Sequence, residues 1–492
     1  MQRAAGILLH PTSLPGPHGI GTLGAQARAW IDRLSAAGVR WWQILPLGPT
    51  GFGHSPYQCY SAFAGNPLLI DPEGLVGAGL LSKSEVPSCG SDAAKVDYPG
   101  VISNSAAMLN TAFKRFEPTP AYGRFCSEHS AWLEDYALFM ALLEHFEFLG
   151  WNEWPEKIRR REPEALEHYA SVLKEETGYH RFVQFCFYLQ WESLRTYAAG
   201  KGVHILGDLP IYVAMNSADV WANPHLFQLD DALQPTHVAG VPPDYFSETG
   251  QRWGNPLFDW EALEKEGFSW WIARMRSSQE LYDMVRIDHF RGFESYWSIP
   301  AEETTAVKGT WVKGPGHKLF DAFQAALGEA LPIIAEDLGI ITPDVEALRD
   351  YYGLPGMKVL QFAFAGDASN PYLPHNHIPN SVVYTGTHDN DTTNGWFYAE
   401  PPEEKERAHT MRYLGCAWDA FHNTLNRTAL ASTAHLAVLP LQDLLGLGSD
   451  ARMNTPGTAL GNWQWRVVQP QLDAAPWDEL KEMCELYGRT KG

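Results

Sequence analysis

Apolar residues recur along this chain in two rhythms. Short unbroken runs, each closed by a polar or Gly/Pro cluster, lie at Gly6–His10, Trp41–Leu47, His204–Asp208 with its continuation Ile211–Val213, and Met284–Asp288. Four more follow at Pro332–Glu336, Met357–Phe362, Ser381–Thr385 and Ala437–Gln442. Runs of this length without polar alternation fit strands covered on both faces, as in a parallel sheet. Helical spacing lies between several of them. Ala25–Ala37 places Ala29, Trp30, Ile31 and Leu34 on one side and stops at Gly38. Leu319–Ala330 and Pro343–Tyr352 behave alike, the latter opened by Thr342 and an N1 proline. Eight strands alternating with helices predict an α/β fold, a (β/α)8 TIM barrel.

A bare barrel needs about 250 residues, and the chain has 492. The surplus is expected as mainly helical and loop insertions after the second and third strands, at residues 48–203 and 214–283. Within them, Ala131–Phe148 and His180–Ala199 read as helices. No polar linker separates two cores, so 1–492 is expected to be one barrel unit.

Composition narrows the partners. The 37 Lys and Arg against 58 Asp and Glu leave a net charge of −21. Such a surface repels phosphate backbones and anionic lipid, so neither nucleic acid nor a membrane is an expected partner. The short run Arg159–Arg161 sits among acids and reads as a solvated helix face. Six cysteines without C-x-x-C spacing do not make a disulfide scaffold. The first apolar run, Ile7–Leu9, is too short for a signal sequence, and no run reaches about 18 apolar residues. The expectation is a cytoplasmic protein. Nineteen Trp are many for this length. Most serve packing, but indole is a flat apolar surface with one polar N–H, which suits the C–H faces of sugar rings.

The sharpest chemical signal is positional. Asp288 ends the fourth strand, Glu336 ends the fifth, and Asp389 follows the seventh. In a barrel these strand ends share one face, where active sites are built. Glycosidic bond chemistry uses such a set: one carboxylate as nucleophile, a second of raised pKa as general acid and base, a third to orient hydroxyls and stabilise charge. Arg286, two residues before Asp288 on a strand, points to the same side and favours its ionised form.

These residues sit in motifs that resemble glycoside hydrolase family 77 of the α-amylase clan, the amylomaltases or 4-α-glucanotransferases. The likeness runs nearly end to end: His10–Pro15, Ser55–Tyr57, Gly207–Val213, Val241–Ser247, Gly250–Pro256, Val285–Gly292, Ala335–Gly339, Gly386–Asn390 and Asn454–Gly457. The resemblance implies Asp288 as nucleophile, Glu336 as acid/base and Asp389 as transition-state stabiliser. It also implies sugar-binding roles for Tyr57, Asp208, Arg286 and His388. Asp244, Gln251 and Trp253 would line the acceptor side, and Asn462 the donor side. The implied partners are maltooligosaccharides and α-1,4-glucans, with no cofactor and no metal.

Carboxylates alone do not separate transfer from hydrolysis, because water or a sugar hydroxyl can open the same intermediate. An α-amylase-like hydrolase is therefore the alternative, and the 240–256 loop, stiffened by Pro242 and Pro243, is what favours transfer. A silent carbohydrate-binding protein would not need the acidic trio. Gly19–Gly24 matches G-x-G-x-x-G, but a Pro-rich loop precedes it and no acid lies in the second strand, so it reads as a turn rather than a dinucleotide site. His10, His289 and His388 could cluster on a metal, and hydrogen bonding to sugar hydroxyls is the preferred reading.

Overall fold

The computed structural model describes residues 2–88, 94–243, 247–399, 404–417 and 421–490. Twelve strands are named in chain order: β1 (Ala4–Leu8), β2 (Trp41–Gln43), β3 (His204–Pro210), β4 (His237–Val241), β5 (Gln251–Pro256) and β6 (Met284–Asp288). The others are β7 (Ser295–Pro300), β8 (Thr310–Lys313), β9 (Ile333–Ala335), β10 (Gly356–Val359), β11 (Ser381–Tyr384) and β12 (Leu436–Pro440). Eight of these close a parallel barrel in the order β1, β2, β3, β6, β9, β10, β11, β12 and back to β1. The predicted TIM barrel is the observed fold.

Period-two alternation sorts each strand's side chains. Leu206, Ile334, Met357, Val359, Val382, Tyr384, Leu436 and Val438 pack together inside the barrel. Their neighbours Ile205, Val285, Ile287, Ile333, Val383, Ala437 and Leu439 face the surrounding helices. On β6, Met284 belongs to the inner set, which turns Arg286 and Asp288 inward as well. Register then sets the mouth of the barrel. Asp208 on β3 lies opposite Arg286, and Pro210 opposite Asp288. Ile287 lies opposite Ala335, so Asp288 and Glu336 leave adjacent strands at the same level.

Most ladders are shorter than their apolar runs. Ile44, Leu45 and Leu47 are buried but lie beyond β2, because the chain bends into the rim while staying covered. The Leu45 N–H, for example, donates to His10 Nδ1 at 3.2 Å. The helix over Ala25–Ala36 agrees with its pattern, and the others shift by a few residues, to His317–Leu327 and Pro343–Tyr351. The Gly19–Gly24 segment serves packing. A Cβ on Gly21 would stand 1.9 Å from the Pro11 carbonyl oxygen, and one on Gly24 would meet the Asp71 carboxylate.

Between β2 and β3 lie helices that include Tyr98–Phe113, Ser130–His145 and Lys174–Gly200. The last buries Phe182, Val183, Phe187, Trp191 and Leu194, and Trp191 Nε1 donates to the Leu281 carbonyl at 3.0 Å. A feature without a sequence forecast is a four-stranded antiparallel sheet, ordered β5-β4-β7-β8. Its edge strands are polar or exposed, β5 reading Gln-Arg-Trp-Gly-Asn-Pro and all four residues of β8 being exposed, whereas β4 and β7 bury most of their residues. The segment after β3 is therefore not only helix and loop, and further strands lie between β6 and β9. At the opposite seam, the buried Arg489 donates to the carbonyls of Ala4 (2.8 Å), Leu430 (2.6 Å) and Ser432 (2.9 Å), locking the chain's end against β1.

Candidate active site

The site grows from the β3–β6 register. Arg286 Nη1 donates to both oxygens of Asp208, at 2.9 and 2.8 Å, and its Nη2 donates to Asp288 Oδ1 at 2.8 Å. One guanidinium fork thus joins two carboxylates, a geometry that lysine could not reproduce. The Tyr57 hydroxyl donates to Asp208 Oδ2 at 2.9 Å. Solvent reaches this chain of groups in a gradient. The side chains of Asp208 and Arg286 are 0% and 4% exposed, Asp288 29% and Asp389 44%. Asp208 and Arg286 therefore form a sealed base, and Asp288 and Asp389 present their oxygens to the cleft.

Glu336 stands directly after β9. Its Oε2 accepts from the His289 backbone N–H at 2.7 Å and its Oε1 from that of Leu338 at 2.9 Å. His289 can offer this N–H because it holds a left-handed conformation, φ 55°. Burial pushes the Glu336 carboxyl up to about 8, against the pull of Arg286, with the neighbouring Asp288 adding to the rise. Asp288 is also raised, again by burial first, with Arg286 opposing. Arg286 thus acts on Asp288 in the direction read from the sequence, but burial outweighs it. Of the two acids, only Asp288 touches the guanidinium. Burial thus favours the protonated form of Glu336 near neutral pH, while Asp288 alone has the guanidinium as a direct counter-charge.

Asp389 comes from the loop after β11. Its Oδ1 accepts from Asn454 Nδ2 at 2.7 Å, and its Oδ2 lies 3.4 Å from His388 Nε2. Arg452 holds the loop by donating to the Asp389 and Asn454 carbonyls, both at 2.8 Å. The His388 ring stacks on Tyr57, with centroids 5.2 Å apart, and Trp463 packs against both at 5.9 Å. A wall of rings thus links Asp389 to the Asp208 end. His10 lies behind it, kept neutral by burial and by His388, its pKa near 3.

On the other side, β5 brings Trp253 edge-on to the His289 ring, centroids 4.8 Å apart, and Trp253 Nε1 donates to Gln251 Oε1 at 3.2 Å. His289 Nε2 is buried without a hydrogen-bond partner, and burial lowers its pKa to about 3. Asp244 lies outside the described residues. Asn462 is exposed and spends its amide on its own loop, accepting from the Thr455 N–H and donating to Thr458. Its neighbour Trp463 is the residue that reaches the ring wall. Among the described residues no three His, Cys, Asp or Glu are placed to hold a metal ion, so His10, His289 and His388 do not converge.

The structure thus gathers Asp288, Glu336, Asp389, Tyr57, Asp208, Arg286 and His388 at one mouth, with Gln251 and Trp253 beside it. Sequence reasoning missed Asn454, Arg452 and Trp463. Asn454 does lie in a quoted motif, but 65 residues of chain separate it from the carboxylate it holds.

The family model of glycoside hydrolase family 77, described as 4-alpha-glucanotransferase, matches residues 9–470. The chain belongs to this family. The 4-alpha-glucanotransferase of Thermus thermophilus is 52% identical over 99% of both chains. That of Synechocystis is 51% identical over 99% of this chain and 98% of its own length. The solved amylomaltase of Streptococcus agalactiae, in complex with acarbose, superposes with a TM-score of 0.96 at 43% identity, covering 99% of this chain and 100% of its own. With matches of this extent the activity is that of the family, 4-alpha-glucanotransfer.

Proposed function

We propose that the mouth of this barrel breaks and remakes α-1,4-glucosidic bonds with retention, through a glycosyl-aspartate. Asp288 attacks the anomeric carbon while Glu336 gives its proton to the departing glycosidic oxygen. The shortened glucan leaves, and the glycosyl group stays as an ester on Asp288. Glu336, now a carboxylate, removes the proton of an incoming sugar hydroxyl, which attacks the same carbon and frees Asp288. The observation that carries this reading is the pairing of a buried carboxyl raised to about 8 with an aspartate bonded at 2.8 Å to a sealed arginine. Unequal surroundings of this kind suit one carboxyl to act as acid and the other as nucleophile in one pocket.

Asp389 is the third carboxylate, aimed by Asn454 to receive sugar hydroxyls beside His388, and Tyr57 supplies an aromatic face for the reacting ring. The acarbose bound to the Streptococcus agalactiae relative supports maltooligosaccharides and α-1,4-glucans as donors and acceptors. The position of Gln251 and Trp253 beside His289 supports a role in seating an acceptor and displacing water, which would favour transfer over hydrolysis. The unpaired state of the five described cysteines supports a reducing, cytoplasmic setting. No described helix is long and apolar enough to cross a membrane.

Maltotriose tests the reading. The wild type should yield glucose together with a ladder of shorter and longer maltooligosaccharides, and Asp288→Ala should yield neither. Products confined to glucose and maltose would make the protein a hydrolase. Substantial turnover by Asp288→Ala would remove Asp288 from the role of nucleophile.

A further inference from the structure

Outside the cleft, one large ring is presented to solvent by an edge strand. Trp311 on β8 is 41% exposed, although both of its contacts hold it still. The Arg291 guanidinium carbon lies 3.8 Å from the centroid of its ring, covering one face. The Trp297 ring meets it at 5.1 Å and 64° from the cross-strand position. Arg291 is itself a buried clamp. Its Nη1 donates to the Ile340 carbonyl and its Nη2 to Ser295 Oγ at 3.4 Å.

Place and rigidity together give this ring meaning. Arg291 follows Asp288 by three residues, a span of at most about 11 Å, and Ile340 follows Glu336 by four. The clamp under Trp311 therefore joins the two loops that leave the nucleophile and the acid/base. Through Arg291 the ring is tied to the segments that follow Asp288 and Glu336, the two acids that leave the barrel side by side. A cation fixed beneath one face leaves the other available, at little cost in side-chain freedom. Ile340 is 54% exposed beside the clamp and extends the apolar surface.

We infer that Trp311 is a stacking platform for α-1,4-glucan, holding glucose units beyond the reacting ones. The inference rests on the proposed glucan chemistry. A polymer handled at the mouth must run out across the rim, and the C–H face of a glucose ring matches a flat indole. A protein partner is a poorer fit. β8 has four residues, and Lys313 at its end is tied to Glu294, so strand addition has little edge to use. A single supported ring is also less than a stable dimer buries.

Three measurements test this. In native gels cast with amylose, Trp311→Ala should be retarded less than wild type, with an apparent Kd raised about three- to tenfold, and Trp311→Phe should lie between them. Disproportionation of maltotriose, too short to reach the rim, should remain within about twofold of wild type by the same reasoning. The third uses Asp288→Ala, which keeps the platform and does not consume its ligand. There, oxidation of Trp311 by N-bromosuccinimide, followed by peptide mass spectrometry, should be suppressed by short amylose and not by maltotriose. Equal retardation, equal loss on maltotriose and amylose, or oxidation indifferent to amylose would overturn the platform. A concentration-dependent dimer of wild type that Trp311→Ala abolishes would reassign the face to a second copy of the chain. A wild type inert on maltotriose would instead defeat the underlying chemistry.

Discussion

Replacing Arg286 by methionine would show how much the site depends on one cation. The side chain makes three hydrogen bonds, two to the fully buried Asp208 and one to Asp288, all at 2.8–2.9 Å. Its removal leaves two carboxylates facing each other without a counter-charge, and breaking a buried pair in this way costs about 3–5 kcal/mol. Unfolding entropy of about 2 cal/mol/K per residue makes 1 kcal/mol worth about 1 °C in a chain of this size, so the melting temperature should fall by about 3–5 °C. The effect on chemistry is larger. Arg286 is the main influence opposing the rise of the Asp288 pKa. A unit charge at about 4 Å in a medium of effective dielectric near 20 is worth about 4 kcal/mol, or about three pH units. Uptake of a proton by Asp208 would relieve part of this. The acid limb of kcat/KM for maltotriose should therefore move up by one to about three units. Arg286→Lys keeps the charge but not the fork. Its acid limb should stay near that of wild type while kcat falls, because an ammonium cannot hold both carboxylates in place. An acid limb unmoved in Arg286→Met would refute the electrostatic argument, whatever the loss of rate.

Three further outcomes concern the other carboxylates. Glu336 is protonated in the fold up to about pH 8 but only to about 4.5 when unfolded. The folded state thus holds the extra proton between these values, and wild-type stability declines as pH rises through that window. Glu336→Gln lacks the titration, so its melting temperature should gain on wild type from pH 5 to pH 8 while transfer is lost; a constant difference would contradict the raised pKa. The wild-type kcat/KM should fall as pH passes about 8. Asn454→Ala removes the donor to Asp389 Oδ1. It should lower kcat for maltotriose about tenfold with little change in KM, since a bond to a charged group is worth about 1.5–3 kcal/mol; an equal rise in KM would make Asn454 a ground-state binding residue instead.

The barrel was legible because its strands are buried on both faces and leave unbroken apolar runs, which no surface strand does. The β5-β4-β7-β8 sheet was illegible for the converse reason. Its edge strand β8 faces water, β5 reads as a polar loop with one tryptophan, and the more buried β4 and β7 are broken by Gly, Ser or Pro. The acids were legible because strand ends are fixed points in this architecture. Arg286 was found by period two on β6, and the structure adds that β3 register delivers Asp208 to the same guanidinium. Asn454 and Arg452 were not found, because their contacts to Asp389 are made by loops whose course no local pattern dictates. Asn462 is a different case. The loop sits at the site, but the amide is occupied within it, and the neighbouring Trp463 makes the contact.

The seam between β1 and β12 has a consequence for biogenesis. The five residues of β1 pair with five more than 400 positions later, and Arg489, further along again, fastens the seam. During synthesis the cylinder must therefore stand open until β12 and Arg489 have been made, and closure is a step of very high contact order. Cutting the chain before Arg489 should trap a species that has secondary structure but a poorly sealed β1 edge, which chaperones would recognise and proteases would clear.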